Sequence, residues 1–223
     1  MKVFGFFSVL ITGLLLVVAA EDFPSWGDPS SPASTHLSPH YITKTVEETA
    51  VPNMVTSVLA DYRGFDTMFE TAVIFTAGIA VVLVLRSLRK SASLPPEAEK
   101  DDPPDLIVQA IVRLLVPFIQ VFALYVVMHG HHSPGGGFQG GVMLGASFII
   151  IAISFDLQTA LKRMSEKVNM ILGALGVLIY AGIGTLCLLL GANFLDYSVL
   201  SRILPATDAV HARSHGMLGI EIG

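Results

Sequence analysis

Residues Leu106–Met128 read LIVQAIVRLLVPFIQVFALYVVM, His129–Gly141 read HGHHSPGGGFQGG, and Val142–Phe155 read VMLGASFIIIAISF. Two apolar runs therefore flank one polar, glycine-packed stretch. A hydrocarbon core of about 30 Å takes about 20 apolar residues of helix to cross. The two runs reach or approach that length, so the stretch between them is the turn of a helical hairpin. It holds three histidines, six glycines and one proline. Gly135, Gly136 and Gly137 permit positive φ or a close backbone approach, and Pro134 fixes the entry to the turn.

Composition extends this reading to the whole chain. Of 223 residues, 52% are apolar and 14% charged, against about 25% charged in soluble domains. Mean hydropathy is +0.67. The apolar residues come in blocks, which predicts an all-α, polytopic transmembrane helical protein. The net charge of −5 reflects acids gathered in segments outside the spans. The lone Cys187 excludes a disulfide within the chain and a CxxC metal site, and reads as a small packing residue.

The run Val3 to Ala20 follows Lys2. It reads either as a cleaved secretory signal, with Val18-Ala19-Ala20 as the small-residue site, or as a retained first helix. Its length and its single preceding lysine favour retention. Glu21 to Phe65 is proline-rich and acidic, an extramembrane loop lying against something, with a short helix expected in Thr45 to Asp61 around Pro52. Thr67 to Leu85 is the second span. Asp66 and Glu70 are four apart and share a helix face. Glu70 lies about one turn inside the apolar run, where a carboxylate is costly unless paired, protonated or hydrated. It reads either as an interfacial cap or as a proton- or cation-handling group. Residues 91–104 form a charged linker with two Pro-Pro pairs.

The third span, Leu106 to Met128, carries Gln109, Arg113, Pro117 and Gln120 along one stripe. Such a stripe should face protein or water. Arg113 reads as a partner for a carboxylate or headgroup, or as a snorkelling residue, and Pro117 predicts a kink. In the turn, His129, His131 and His132 lack the spacing and neighbours of a regular zinc site. The glycines lack the Gly-Lys-Ser/Thr of a nucleotide loop. The leading expectation is a turn packed on a neighbouring subunit; a proton relay through the histidines is the second. Gly141 and Gly145 are spaced for close helix packing in the fourth span. The fifth span, Val168 to Leu190, aligns Gly173, Gly176 and Gly184 with Asn169, Tyr180 and Cys187 on a small, weakly polar face. Asn193 to Ala212 reads as a loop, and Ala212 to Gly223 as the entry to a sixth span. Alternation places most basic residues, among them Arg86, Lys162, Arg163 and Lys167, on one side. The positive-inside rule makes that side and the amino terminus cytoplasmic.

From about Asp105 onward the chain resembles the MnhB-type (MrpB-like) subunit of Mrp-type multisubunit sodium/proton antiporters. The resemblance rests on Arg113-x-x-x-Pro117, on Tyr125 to His129, on His129 to Gly141, and on Ala212-Arg213 to Glu221-Ile-Gly. Residues up to Lys90 resemble the small subunit of membrane-bound hydrogenases that corresponds to the carboxy-terminal end of the large antiporter subunit. Asn53-Met-Val-Thr and Asp61-Tyr-Arg-Gly-Phe-Asp-Thr-x-x-Glu70 carry that likeness. The resemblance implies a two-helix module over 1–90, the linker over 91–104, and an MnhB-like domain over 105–223 whose last helix is incomplete. Family members continue past the position of Gly223, so a truncation or a second chain completing that helix is expected. It further implies a transporter-complex subunit without catalysis of its own, Na+ and H+ as transported ions, and no cofactor or metal. The implied partners are other antiporter or hydrogenase-type membrane subunits within the lipid bilayer of the cell (inner) membrane, with no nucleic acid. Glu70 is the position implied in the ion route, with Asp66 by proximity and Arg113 as a further candidate. A scaffold that docks transport subunits without touching ions is the alternative. The host is either a stand-alone antiporter or a redox-linked complex.

Overall fold

The computed structural model describes residues 2–91 and 105–223. The linker expected over 91–104 lies, beyond Ser91, outside them. The described residues form helices and turns, with no strand among them. Among the described residues, five helices are long and apolar enough to cross a membrane: Val3–Glu21, Gly64–Leu88, Leu106–Met128, Gly137–Ser154 and Glu166–Leu189. By compactness the chain divides into Met1–Thr43 and Lys44–Gly223. That division falls at a different place from the boundary expected over 91–104.

The first unit contains α1 (Lys2–Glu21) and the start of α2 (Ser38–Thr49). The large apolar side chains of α1 from Val3 to Val18 are exposed, as expected of a helix whose solvent is lipid. A π-helical turn, Ala33–Leu37, runs directly into α2 at Ser38, just ahead of Pro39, whose ring and missing N–H disfavour regular α-helical bonding to the preceding turn.

In the second unit the segment after α2 is compact rather than a solvated linker. Ala50 takes φ +56° and ends α2. Pro52 leads into Asn53, whose side chain caps α3 (Met54–Ser57) by accepting from Val55 N–H. A π-helical turn, Val58–Tyr62, then feeds α4 (Gly64–Ser91). Thr49 donates to the Thr45 carbonyl at 2.7 Å and lies 3.0 Å from the Ser57 hydroxyl, which ties the two short helices together.

The helix α5 (Leu106–Met128) runs unbroken through Pro117 and is capped by Asp105, which accepts from the Ile107 and Val108 N–H groups. It pairs with α6 (Gly137–Ser154). The latter starts inside the glycine run rather than at Val142, because Gly136 at φ +115° turns the chain directly into it. A Cβ on Gly140 would meet Val127 Cγ2 at 2.3 Å and the Ala123 carbonyl at 2.7 Å, so the two helices touch through this glycine. The polar stripe of α5 faces α6. Gln109 donates to the Ser154 carbonyl at 3.3 Å, Gln120 to the Ser147 hydroxyl at 3.0 Å, and Arg113 lies 5.2 Å from the Phe155 ring centroid.

A short helix, α7 (Leu157–Arg163), capped by Asp156, leads to α8 (Glu166–Leu189), capped by Ser165. The latter packs on α4, and an ion pair joins Arg86 to Glu166 at their far ends. Asn193 to Ala212 is not loop throughout: a 3-10 turn covers Tyr197–Arg202, and α9 (Ala209–Ile222) begins early because Asp208 caps it through the His211 N–H at 2.8 Å.

The larger buried cluster gathers Val51, Ala60, Tyr180, Cys187, Tyr197, Leu200, Ala212, Met217 and Ile220. It lies where the 51–62 segment, the top of α8 and α9 meet. Cys187 is a fully buried packing residue there. Burying each large apolar side chain of this kind contributes about 1.5–3 kcal/mol.

Candidate functional site

The histidine–glycine turn packs on this chain's own α9 and 53–56 segment. Asn53 Nδ2 donates to the carbonyls of Gly130 (2.7 Å) and Ser133 (2.8 Å), and Thr56 donates to that of Gly130 at 2.8 Å. The Asn53 N–H donates to the His131 carbonyl at 3.1 Å. Four hydrogen bonds thus fix a turn whose glycines would otherwise be conformationally free.

The other side of the turn receives Glu221. A Cβ on Gly130 or on Gly136 would sit 2.8 Å from Glu221 Oε1, and one on Gly137 would sit 1.9 Å from the Glu221 carbonyl oxygen. Glycine is required at these positions because α9 occupies the space a side chain would need. His131 closes the cradle. Its Nε2 lies 3.1 Å from Glu221 Oε2, with side-chain exposures of 12% and 10%. Neither atom has a hydrogen-bonding partner. The contact is close, but its angle is outside hydrogen-bond geometry, so it is an ion pair when the ring is protonated. His131 Nδ1 lies 3.4 Å from the Ser214 hydroxyl.

The three candidate histidines thus have different surroundings. His131 meets a carboxylate. His129 stacks on Tyr125, with centroids 4.8 Å apart, and His132 tilts against His129 at 5.8 Å. No group of three or more metal-capable side chains occurs among the described residues.

Two phenols and a bidentate pair hold α9 and the top of α4 in place. Tyr180 donates to the Gly64 carbonyl at 2.7 Å and Tyr197 to that of Ala60 at 2.9 Å. Arg213 donates through Nε and Nη2 to Asp61 at 2.8 and 2.5 Å, and the Asp61 side chain is 7% exposed. Tyr62 donates to Glu48 at 2.6 Å. Burial, and then that carboxylate, push the Tyr62 phenol up from its ordinary value.

Of the ion-route candidates, Asp66 is held by Arg63, whose Nε donates at 2.7 Å, and the pair is exposed. Glu70 is exposed on α4. Gly64, Met68 and Phe75 face α8 and the core. Asp66, Glu70, Val73, Ala77 and Ala80 fall on the far side at helical spacing. A groove of about 380 Å³ lined by Ala72, Val73, Thr76, Ala77 and Ala80 continues that face. Arg113 belongs to the other end of the bundle. It lies 16 residues before His129, or about 24 Å of helix, and its ring contact is with Phe155. The structure therefore keeps Arg113 apart from Asp66 and Glu70.

The candidate packing glycines divide into two sets. A Cβ on Gly173 would meet Phe75 at 3.0 Å, one on Gly176 the Gly223 carbonyl at 2.1 Å, and one on Gly184 the Phe194 ring at 2.4 Å. These three are used within the chain. Gly141 and Gly145 have nothing within 4 Å.

A family model described as the domain related to the MnhB subunit of the Na+/H+ antiporter matches residues 107–222, more than half of the chain. The chain belongs to this family. A second family model, MbhE, which describes one of the MBH subunits, matches residues 18–100. The putative antiporter subunit mnhB2 of Staphylococcus aureus strain Newman is 31% identical over 109 residues, covering 48% of this chain and 75% of that protein. The probable K(+)/H(+) antiporter A/B subunit of Rhizobium meliloti is 30% identical over 152 residues, 60% of this chain. The chain spans only 15% of that longer protein. Two solved assemblies share the fold. One is the membrane-bound sulfane sulfur reductase, an archaeal respiratory membrane complex, with a TM-score of 0.60 at 24% identity over 99% of this chain and 94% of the matched one. The other is the Mrp complex of Dietzia sp. DQ12-45-1b, with a TM-score of 0.63 at 23% identity over 99% of this chain and 25% of the matched one. This MnhB-related chain is a multi-pass helical membrane protein. Glu221, Asp61 and Arg213 complete its loop-end cluster; all three lie in stretches that carry the family resemblance, but the sequence did not single them out as site residues. A lone acid in the apolar run Gly216 to Gly223 was the available signal for Glu221.

Proposed function

We propose that this MnhB-related chain is a membrane subunit of a multisubunit cation/proton antiporter module that couples Na+ and H+ movement. Its partners are other antiporter or hydrogenase-type membrane subunits, and its amino terminus is cytoplasmic. The observation that carries the reading is the far face of α4. Glu70 is exposed there, about 9 Å of helix beyond Gly64. A carboxylate facing lipid at that depth is costly, so a partner subunit or an aqueous path covers it. The continuing small-residue groove fits a helix laid against α4. Glu70 then lines the path, Asp66 with Arg63 stands at its mouth, and Arg113 serves the α5–α6 pair instead.

The scaffold reading draws on Gly141 and Gly145, which have nothing within 4 Å of a Cβ and so are open to a partner helix. Glu70→Gln separates the two readings. It preserves size and hydrogen bonding but carries no charge and exchanges no proton. In the assembled complex, sodium-dependent proton movement in vesicles should fall about tenfold or more with assembly intact. Normal coupling in that variant would remove Glu70 from the mechanism and leave the scaffold reading.

A further inference from the structure

We propose that His131 and Glu221 form a coupled proton-binding site at the loop end of the bundle, with Ser214 as its link to water. The inference stands on the buried pair alone and does not require Glu70 to lie on an ion route.

Three observations meet here. The pair is about nine-tenths buried within this chain, and its facing atoms are 3.1 Å apart yet lack hydrogen-bonding partners. Charges removed from water and left without hydrogen bonds are costly, and a proton moving between them relieves that cost. The imidazole has a different polar group on each nitrogen, the Ser214 hydroxyl at Nδ1 and the carboxylate at Nε2. A ring so placed accepts a proton at one nitrogen and releases another from the opposite one. Finally, the glycines at 130, 136 and 137 leave room for the carboxylate and nothing larger.

The step balances with one solvent proton and no other co-reactant. With the ring carrying its hydrogen on Nε2, Nδ1 accepts the Ser214 hydroxyl proton as a hydronium ion delivers one to the Ser214 oxygen in the same step, so that one solvent proton enters and a water molecule is left behind. The imidazolium then passes the Nε2 proton to Glu221 Oε2, leaving a neutral ring and a neutral carboxylic acid. Only N–H and O–H bonds break and form. A small rotation of either side chain brings the pair into line.

The surroundings set the charge balance. Arg213, next to Ser214 on α9, is committed to Asp61. Asn53 and Thr56, from the clamping segment, carry no charge. His129 and His132, from the turn itself, stack with Tyr125 and with each other. Gln139 reaches the Gly136 side of the cradle from α6. Tyr197 packs on Gly216, and α8 presents Gly176, Ile179 and Ile183 to α9. His131 is thus the titratable group in contact with Glu221.

The test uses the wild-type assembled complex. Histidine C2 hydrogen exchange, read by peptide mass spectrometry, follows the titration of His131 from pH 5 to 9. The measurement is repeated after the complex is treated with dicyclohexylcarbodiimide, which modifies protonated carboxyls in apolar settings. The expected result is that His131 titrates within this range, that Glu221 is modified, and that modification moves the His131 midpoint by about one pH unit or more. His129 and His132 should move less. A His131 held in one protonation state throughout, as in a fixed structural pair, would overturn the proposal. So would a midpoint unmoved by the reagent, or a Glu221 never modified. Transport is scored separately in the wild-type complex. A His131 midpoint shifted by the reagent in wild-type complexes that show no cation-coupled transport would support the proton site while defeating the antiporter reading.

Discussion

Replacing Gly137 by alanine tests the seat of α9 directly. The added Cβ would lie 1.9 Å from the Glu221 carbonyl oxygen, 2.9 Å from its carbonyl carbon and 3.3 Å from its Cα. These are backbone atoms, so no side-chain rotation relieves the clash. Bringing the first contact out to 3.0 Å requires a displacement of 3.0 − 1.9 = 1.1 Å. A shift of that size pulls Glu221 from the cradle and disturbs the 3.1 Å approach to His131. Overpacking of a well-packed site costs about 1–3 kcal/mol, and a backbone clash with loss of the buried contact belongs at the upper end. About 3 kcal/mol corresponds to a melting temperature lower by roughly 6–12 °C for a chain of this size. Gly141→Ala is the matched control one turn further along α6, with nothing within 4 Å of its Cβ position. Size-exclusion traces after heating, taken on the purified complex, measure both variants. Gly137→Ala melting within about 2 °C of wild type would refute the proposed seat. A Gly141→Ala defect confined to assembly would instead locate a partner helix on that face.

Asp61→Asn should destabilise the complex by about 2–4 kcal/mol, because it leaves the Arg213 guanidinium partly buried beside a neutral amide. Asp61→Leu combined with Arg213→Met should recover part of that loss, and a fully additive double variant would show that the pair is not coupled. Cysteines placed at Ser133 and Gln158 should label from opposite sides of the membrane, with Gln158 on the side of the basic residues. Labelling from one side would refute the alternating topology. Tyr62, whose folded phenol is raised by burial and Glu48, contributes stability that is full below its unfolded value near pH 10. That contribution is lost as pH rises through the folded value. The number of early-titrating tyrosines read by absorbance at 295 nm should therefore be the same in Tyr62→Phe as in wild type, and one fewer in the variant would refute the assignment.

The spans were legible because their signal is local. Twenty-odd apolar residues in a row specify a crossing helix without knowledge of its neighbours. The polar stripe on α5 was legible for a similar reason, since periodicity alone puts Gln109, Arg113 and Gln120 on one side, and that side faces α6. The assignment of partners was not legible. Asp61 and Arg213 are 152 positions apart, and neither is unusual in its own segment. The early start of α6 at Gly137 was hidden because a glycine run reads as turn until the positive φ at Gly136 is known. The 45–62 segment read as a loop lying against something with one short helix, but not as a clamp, because its proline and hydroxyl residues are common in irregular chain. The same residues build caps and clamps, through Asn53 and Thr56, once a turn is present to accept from them.

The histidine–glycine turn and α9 explain one another. Alone, a turn with six glycines is expensive to order, since each glycine loses more backbone freedom than any other residue. Alone, a helix of 14 residues carrying Glu221 in an apolar run is marginal and poorly solvated in lipid. Joined, the glycines admit the α9 backbone, and His131 meets the carboxylate. The 53–56 clamp fixes the turn from the other side. The costs of the glycines and of the buried acid therefore offset each other only in the docked state. A site that titrates between them would connect proton binding to the docking of α9 without any further moving part.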